Sequence, residues 1–149
     1  MEERYLSKIV VDLLLERKNE TSGKKEILLL KRARTGDYDG YFDLPRGHLE
    51  KGEDIFNAII RETKEEIGIT IKRDDLEIIH IYHKYSKDML KFIFKASKYE
   101  DTIINNEPQS CEIVEWFEID KLPENIIPGI KFELENIKNG KYYSTEEII

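Results

Sequence analysis

Cysteine and tryptophan each occur once in these 149 residues, and no apolar run is long. The lone thiol, Cys111, has no partner for an intramolecular disulfide framework and cannot build a cysteine zinc cluster, so it reads as a small buried side chain. The longest aliphatic stretch, Ile9 to Leu15, is broken by Asp12 and falls short of the roughly 20 residues that cross a bilayer. The first residues, MEERYLSK, lack the apolar core of a secretory signal. A cytoplasmic protein without a membrane partner is the expectation. Excess positive charge is missing too: 31 acidic against 24 basic side chains give a formal net charge of −7. That balance argues against a broad surface for a nucleic-acid polymer. It leaves a small nucleotide open, because a metal can neutralise phosphates locally. The length suits one domain over residues 1–149, with room for a sizeable core.

What the chain does have is concentrated in GHLEKGEDIFNAIIRETKEEIGI, from Gly47 to Ile69. Glu62, Glu65 and Glu66 are spaced i, i+3, i+4, so a helix makes them neighbours on one face. Their arc of roughly 100° lies beside the apolar arc of Ile55, Phe56, Ile59, Ile60 and Ile67. A solvated charged face would lie opposite that stripe; here the carboxylates border it, where a helix meets a core and a cleft can form. Like charges at this spacing repel, and three of them call for a hard cation, Mg²⁺ or Mn²⁺. Before the helix, Leu44-Pro45-Arg46-Gly47-His48 is extended and broken by Pro and Gly, which lets backbone groups approach a ligand. Asp54 is placed to cap the helix and Gly68 to end it.

Gly47, five residues, Glu53, seven residues, Arg61-Glu62, two residues, Glu65-Glu66, one residue and Gly68-Ile69 resemble the signature of the Nudix hydrolases. Thr63 stands where an aliphatic residue is usual, and Arg46 where many members carry glycine. The resemblance implies an α/β/α sandwich with a mixed central sheet and the signature helix packed on it. It implies a divalent-metal-dependent hydrolase that cleaves a nucleoside diphosphate linked to another group. Carried over position by position, Glu62, Glu65 and Glu66 are metal ligands and catalytic groups, joined by the backbone carbonyl of Arg46. Gly47, Glu53, Arg61 and Gly68 are structural, with Glu53 and Arg61 as an ion pair fixing the loop and helix. Glu107, in a later acidic loop, is the candidate for a further ligand or general base.

Around this segment the chain reads as strands at Tyr5 to Glu16, Ile27 to Lys31, Tyr41 to Leu44, Asp75 to Tyr85, Met89 to Lys98 and Glu112 to Ile119. A second helix is expected from Pro128 to Lys138, and a loosely held tail from Tyr142 to Ile149. Strands, helix, strands, helix make an α+β layered domain with a mixed sheet. His80 and His83 alternate along a strand and read as ordinary strand residues.

The substrate is less legible. Arg46 and His48 are candidates to touch phosphate, and Tyr41 and Tyr85 to stack a base. NEPQSCEIVEWFEIDKLPENIIP resembles MutT-type nucleoside triphosphate pyrophosphohydrolases, whereas PRGHLEKGED with Tyr85 is similar to dinucleoside polyphosphate hydrolases. The expectation is a nucleoside triphosphate cleaved to monophosphate and pyrophosphate, by a monomer or homodimer. The alternatives are the dinucleotide substrate and a low-turnover nucleotide-sensing module. Decapping of RNA is disfavoured by the net acidity and by the absence of a basic flank in the sequence.

Overall fold

The computed structural model describes residues 3–146. Strand β1 (Lys8–Leu14) is an interior strand of a mixed five-stranded sheet. It pairs antiparallel with β5 (Arg46–His48) on one side and parallel with β7 (Met89–Ala96) on the other. Beyond β7 come β6 (Leu76–Lys84), antiparallel, and β9 (Tyr143–Thr145), parallel to β6. A second, antiparallel sheet joins β2 (Glu16–Lys18), β3 (Lys25–Arg32), β4 (Phe42–Asp43) and β8 (Cys111–Glu118). The two sheets meet where Leu28 N donates to Leu15 O, 3.1 Å.

Helix α1 (Ile55–Ile67) packs on one face, burying Ala58, Ile59 and Ile67 against Val11, Leu13 and Phe94. Helix α2 (Ile130–Lys138) covers the other, with Ile130 and Leu134 against Leu14, Ile93 and Leu44. Alternation along β1 supplies both cores, Val11 and Leu13 to one and Leu14 to the other. The α/β/α layering is the expected one.

The ends of α1 follow their sequence signals. Asp54 Oδ1 accepts from Asn57 N at 2.8 Å, and Gly68 takes a left-handed φ of 75°. Ile104 lies so close that a Cβ at Gly68 would stand 2.9 Å from its Cγ1. Thr63 suits its buried slot, because its hydroxyl donates to Ile59 O at 2.8 Å and leaves only the methyl to pack.

Three local readings differ. The expected first strand stops at Leu14, and Glu16–Lys18 continues into the second sheet. Arg46–His48, read as an extended piece broken by Pro and Gly, is a strand paired with β1. Tyr143–Thr145, read as part of a loose tail, forms β9; His80 Nε2 meets Ser144 Oγ at 2.7 Å and His80 Nδ1 meets Lys141 O at 2.8 Å, which anchors it. Residues 147–149 of that tail lie outside the described residues.

The α2-facing side of the five-stranded sheet has an order that matters below. Cross-strand register puts Arg46 beside Asp12, and Asp12 beside Ile93. The next row is His48, Val10, Lys91 and Tyr82; the outermost is Lys8, Met89 and Lys84.

Candidate active site

Gly47 is where the signature loop crosses the signature helix. A Cβ there would overlap the Glu62 carboxyl, so only glycine lets β5 pass this close to α1. The neighbouring backbone then reaches the second glutamate: Arg46 N donates to Glu66 Oε1 at 3.1 Å. Val11 and Gly47 face each other in the β1–β5 ladder, flanked by the Leu13 N to Pro45 O and Leu49 N to Ile9 O bonds. Arg46 therefore turns both its N–H and its C=O away from β1, on the side of Glu66.

Glu62 and Glu66 line one cleft of about 650 Å³ with Glu50, Glu107, Arg46 and His48. Burial raises the Glu62 carboxyl, against the opposing pull of Arg61. Burial, reinforced by the Glu62 charge, puts Glu66 well above the ordinary carboxylate range. The charge of Glu107 raises both, which places it within electrostatic reach of the pair. Glu65 points outward, with its side chain 51% exposed.

Arg61 ties the loop to the helix, as expected, through Glu53 at 2.7 Å and the carbonyl of His48 at 3.2 Å. It also holds Glu62 at 2.7 Å and Glu65 at 3.3 Å. Its side chain and that of Glu53 are 24% and 16% exposed, so this pair is not a buried one. With Arg61 among the carboxylates, no three His, Cys, Asp or Glu side chains of the described residues are gathered as a closed metal cluster. The donor set itself is hard oxygen throughout, and it sits on one wall of a cleft, so it fits a Mg²⁺-type cation.

Glu107 comes from a loop that is firmly docked. Asn106 N donates to Glu66 O at 3.0 Å, and its Nδ2 to Glu65 O at 3.1 Å, so one asparagine closes open carbonyls at the end of α1. Asn105 Oδ1 accepts from Glu107 N at 3.2 Å while its Nδ2 donates to Cys111 O at 2.8 Å. Arg34 donates to the carbonyls of Pro108 and Gln109. Sequence reasoning gave Asn105 and Asn106 no role and weighed Arg34 as a phosphate contact rather than a loop clamp; the available signal was the Asn-Asn pair immediately before the candidate glutamate.

The floor is a chain of alternating charges. Lys91 lies between Glu133, 2.9 Å, and Asp12, 3.2 Å; Arg46 lies between Asp12, 3.5 Å, and Asp43, 3.3 Å. Asp12, Asp43, Lys91 and Glu133 are all buried. Burial pulls the Lys91 ammonium down, but Asp12 and Glu133 outweigh it and hold its pKa above the usual value. Desolvation raises Asp43 and Glu133 in spite of their cations. The Arg46 side chain, a candidate for substrate phosphate, is thus bound to two buried acids.

His48 is exposed at the cleft, its pKa lowered by desolvation and then by the Arg46 and Lys8 charges. Tyr41 and Tyr85 are not in the cleft wall. Tyr41 packs edge-on against Tyr38, which is in the wall, and Tyr85 packs edge-on against His83. Tyr82 is the aromatic ring at the floor.

A family model for the NUDIX domain matches residues 8–137. An RNA pyrophosphohydrolase of Campylobacter jejuni is 43% identical over 53 residues, 36% of this chain and 31% of that protein. The chain thus spans about a third of that relative's length. A bis(5′-nucleosyl)-tetraphosphatase of Caenorhabditis elegans is 32% identical over 66% of this chain and 75% of its own. An ADP-ribose pyrophosphatase of Methanocaldococcus jannaschii is 29% identical, over 78% and 64%. Among solved structures, a MutT NUDIX hydrolase from Burkholderia pseudomallei superposes with a TM-score of 0.74 at 23% identity, covering 87% of this chain and 96% of that one.

Proposed function

The chain belongs to the Nudix family, and from that premise we propose that it hydrolyses nucleoside triphosphates to the monophosphate and pyrophosphate in a divalent-metal-dependent reaction. The observation that carries this reading is the cleft in which Glu62 and Glu66 stand half-buried beside Glu107, with the Arg46 backbone turned toward them. The similar proteins named above share, in their names, the breaking of a phosphoanhydride or of a nucleotide polyphosphate.

Glu62 and Glu66, with the Arg46 carbonyl, are the groups at the cleft that would hold the cation, and Glu65 would join them by turning its exposed side chain inward. When bound, the cation screens the phosphate charge and makes water acidic enough to attack phosphorus. Burial and the neighbouring Glu62 charge penalise an ionised Glu66 in the metal-free protein, a cost that a bound cation would relieve. Glu107 faces the same space and is our candidate for a further ligand or for the base that receives the proton of the attacking water. Arg61 bridges Glu62 and Glu53 and so keeps the loop in register with the helix.

Asn106 has a role here that can be separated from simple support. If it sets Glu107 by clamping that loop to α1, Asn106→Ala should lower kcat by about tenfold, the usual scale for an outer-shell partner. The same change should then cost little more in a Glu107→Gln background. Additive losses in that double-mutant cycle would show that Asn106 does not act through Glu107.

The choice of triphosphate over dinucleotide rests on what lies past the phosphates. A dinucleotide needs a second platform, and a stacked base is worth about 1–3 kcal/mol. Tyr85 is outside the cleft wall and already packed on His83. Tyr85→Ala should therefore leave kcat/KM on a triphosphate within a few-fold. The assay compares GTP, dGTP, an oxidised dGTP and diadenosine tetraphosphate on both proteins. Preference for the dinucleotide, with a tenfold loss in the variant on that substrate alone, would replace this reading with the tetraphosphatase one.

A further inference from the structure

Among the described residues only about half of the cations are ion-paired, and three of the unpaired ones gather at the cleft mouth. Among the described residues, Lys8, Lys84 and Lys87 have no ion pair, yet all three line the cleft that holds Glu62 and Glu66. The Lys84 charge acts on Glu146, whose carboxylate accepts from Ser86 N and Oγ.

Their convergence is built by the sheet. Lys8, Met89 and Lys84 occupy one transverse row, on the face that carries Lys91 and Tyr82 in the next row and Arg46 in the row after. Strand spacing puts the Lys8 and Lys84 backbones about 10 Å apart, astride Met89, so two flexible arms can meet over one group. Lys87 adds a third from the turn that follows Lys84. The mouth row lies about 13 Å along the strands from the Arg46 row. Lysine arms and a phosphate chain together span that gap.

The floor between them cannot serve the same purpose. Lys91 and Arg46 are each held between two buried carboxylates, so their charge is spent inside the protein. Three ammonium groups without an ion pair among the described residues gather on one rim and repel one another, and an anion placed among them reduces that cost. The same cleft would then have an acidic end for the cation and a basic end for phosphate that the cation does not cover.

We propose that Lys8, Lys84 and Lys87 form a second phosphoryl-binding subsite at the cleft mouth, one that takes the part of a polyphosphate farthest from the glutamates. The inference rests on the hydrolase reading and sharpens its substrate class. Chains of three or more phosphates reach the rim. A nucleoside diphosphate linked to a sugar, such as ADP-ribose, presents a neutral sugar there instead.

The test is the double variant Lys8→Gln/Lys84→Gln, which removes charge from exposed or half-exposed positions and retains side-chain length. KM and kcat are measured for GTP and for ADP-ribose across salt concentrations. Binding of inorganic tripolyphosphate is followed separately by calorimetry without added metal. The KM for GTP should rise about tenfold more than that for ADP-ribose, and its salt dependence should flatten. Tripolyphosphate binding should weaken by a similar factor, and Lys8→Arg/Lys84→Arg should restore both. Equal losses on the two nucleotides, or unchanged tripolyphosphate binding, overturn the subsite. If the native protein turns over no nucleotide, the hydrolase reading fails, and the calorimetry still decides the rim.

Discussion

Glu66→Gln should lower kcat by about 100-fold or more, since even a partner outside the ligand shell costs 10- to 100-fold when lost. The fold should survive. Burial, followed by the Glu62 charge, holds the Glu66 carboxyl well above its usual range in the metal-free protein. A carboxyl whose pKa is raised on folding withdraws stability as pH climbs from its unfolded value through its folded one. Glutamine removes that penalty while keeping an acceptor for Arg46 N, which now donates to Glu66 Oε1. Measured without metal at pH 8, the Tm of the variant should equal or exceed that of the native protein. Mg²⁺ should raise the Tm of the native protein and do so far less in the variant. Turnover near the native level, or a variant that unfolds, would remove Glu66 from the role given to it.

The second large effect is on stability. Lys91→Met leaves Asp12 and Glu133 buried without the ammonium between them. Breaking a buried pair at one partner costs about 3–5 kcal/mol, which corresponds to a fall in Tm of roughly 6–20 °C for a domain of this size. Changing Glu133 to leucine in the same protein should recover part of the loss, because an uncompensated charge is then replaced by apolar volume. Thermal unfolding of the two variants reads this directly. A drop of a degree or two for Lys91→Met would mean that water or a small shift satisfies the acids.

How these features divide between sequence and structure follows from distance along the chain. The segment from Gly47 to Gly68 was readable because its signals are local: the cap at Asp54, the left-handed end at Gly68 and the i, i+3, i+4 carboxylates each depend on residues within about a turn of themselves. Glu53 and Arg61 are eight residues apart, and the pairing expected of them is present. The reach of Arg61 to Glu62 and Glu65 was not expected, because adjacent acids on a helix give no sign of which will share one guanidinium.

Long-range relations left no such mark. Asp12 looked like an interruption in an aliphatic strand; it is the centre of the buried charge chain, with partners 34 and 79 positions away in sequence at Arg46 and Lys91. The search for a basic flank failed for the same reason: Lys8 and Lys84 adjoin only through the register of β1, β7 and β6. Strand β9 was hidden because Tyr-Ser-Thr is short and polar, and because its anchor, the hydrogen bonding of His80 to Ser144, joins residues 64 apart.

The most direct measurement is of the products. Purified protein with Mg²⁺ and GTP, followed by phosphorus NMR, should yield GMP and inorganic pyrophosphate, with no turnover when the metal is chelated. Release of GDP and orthophosphate, or no turnover of any nucleotide offered, would contradict the account.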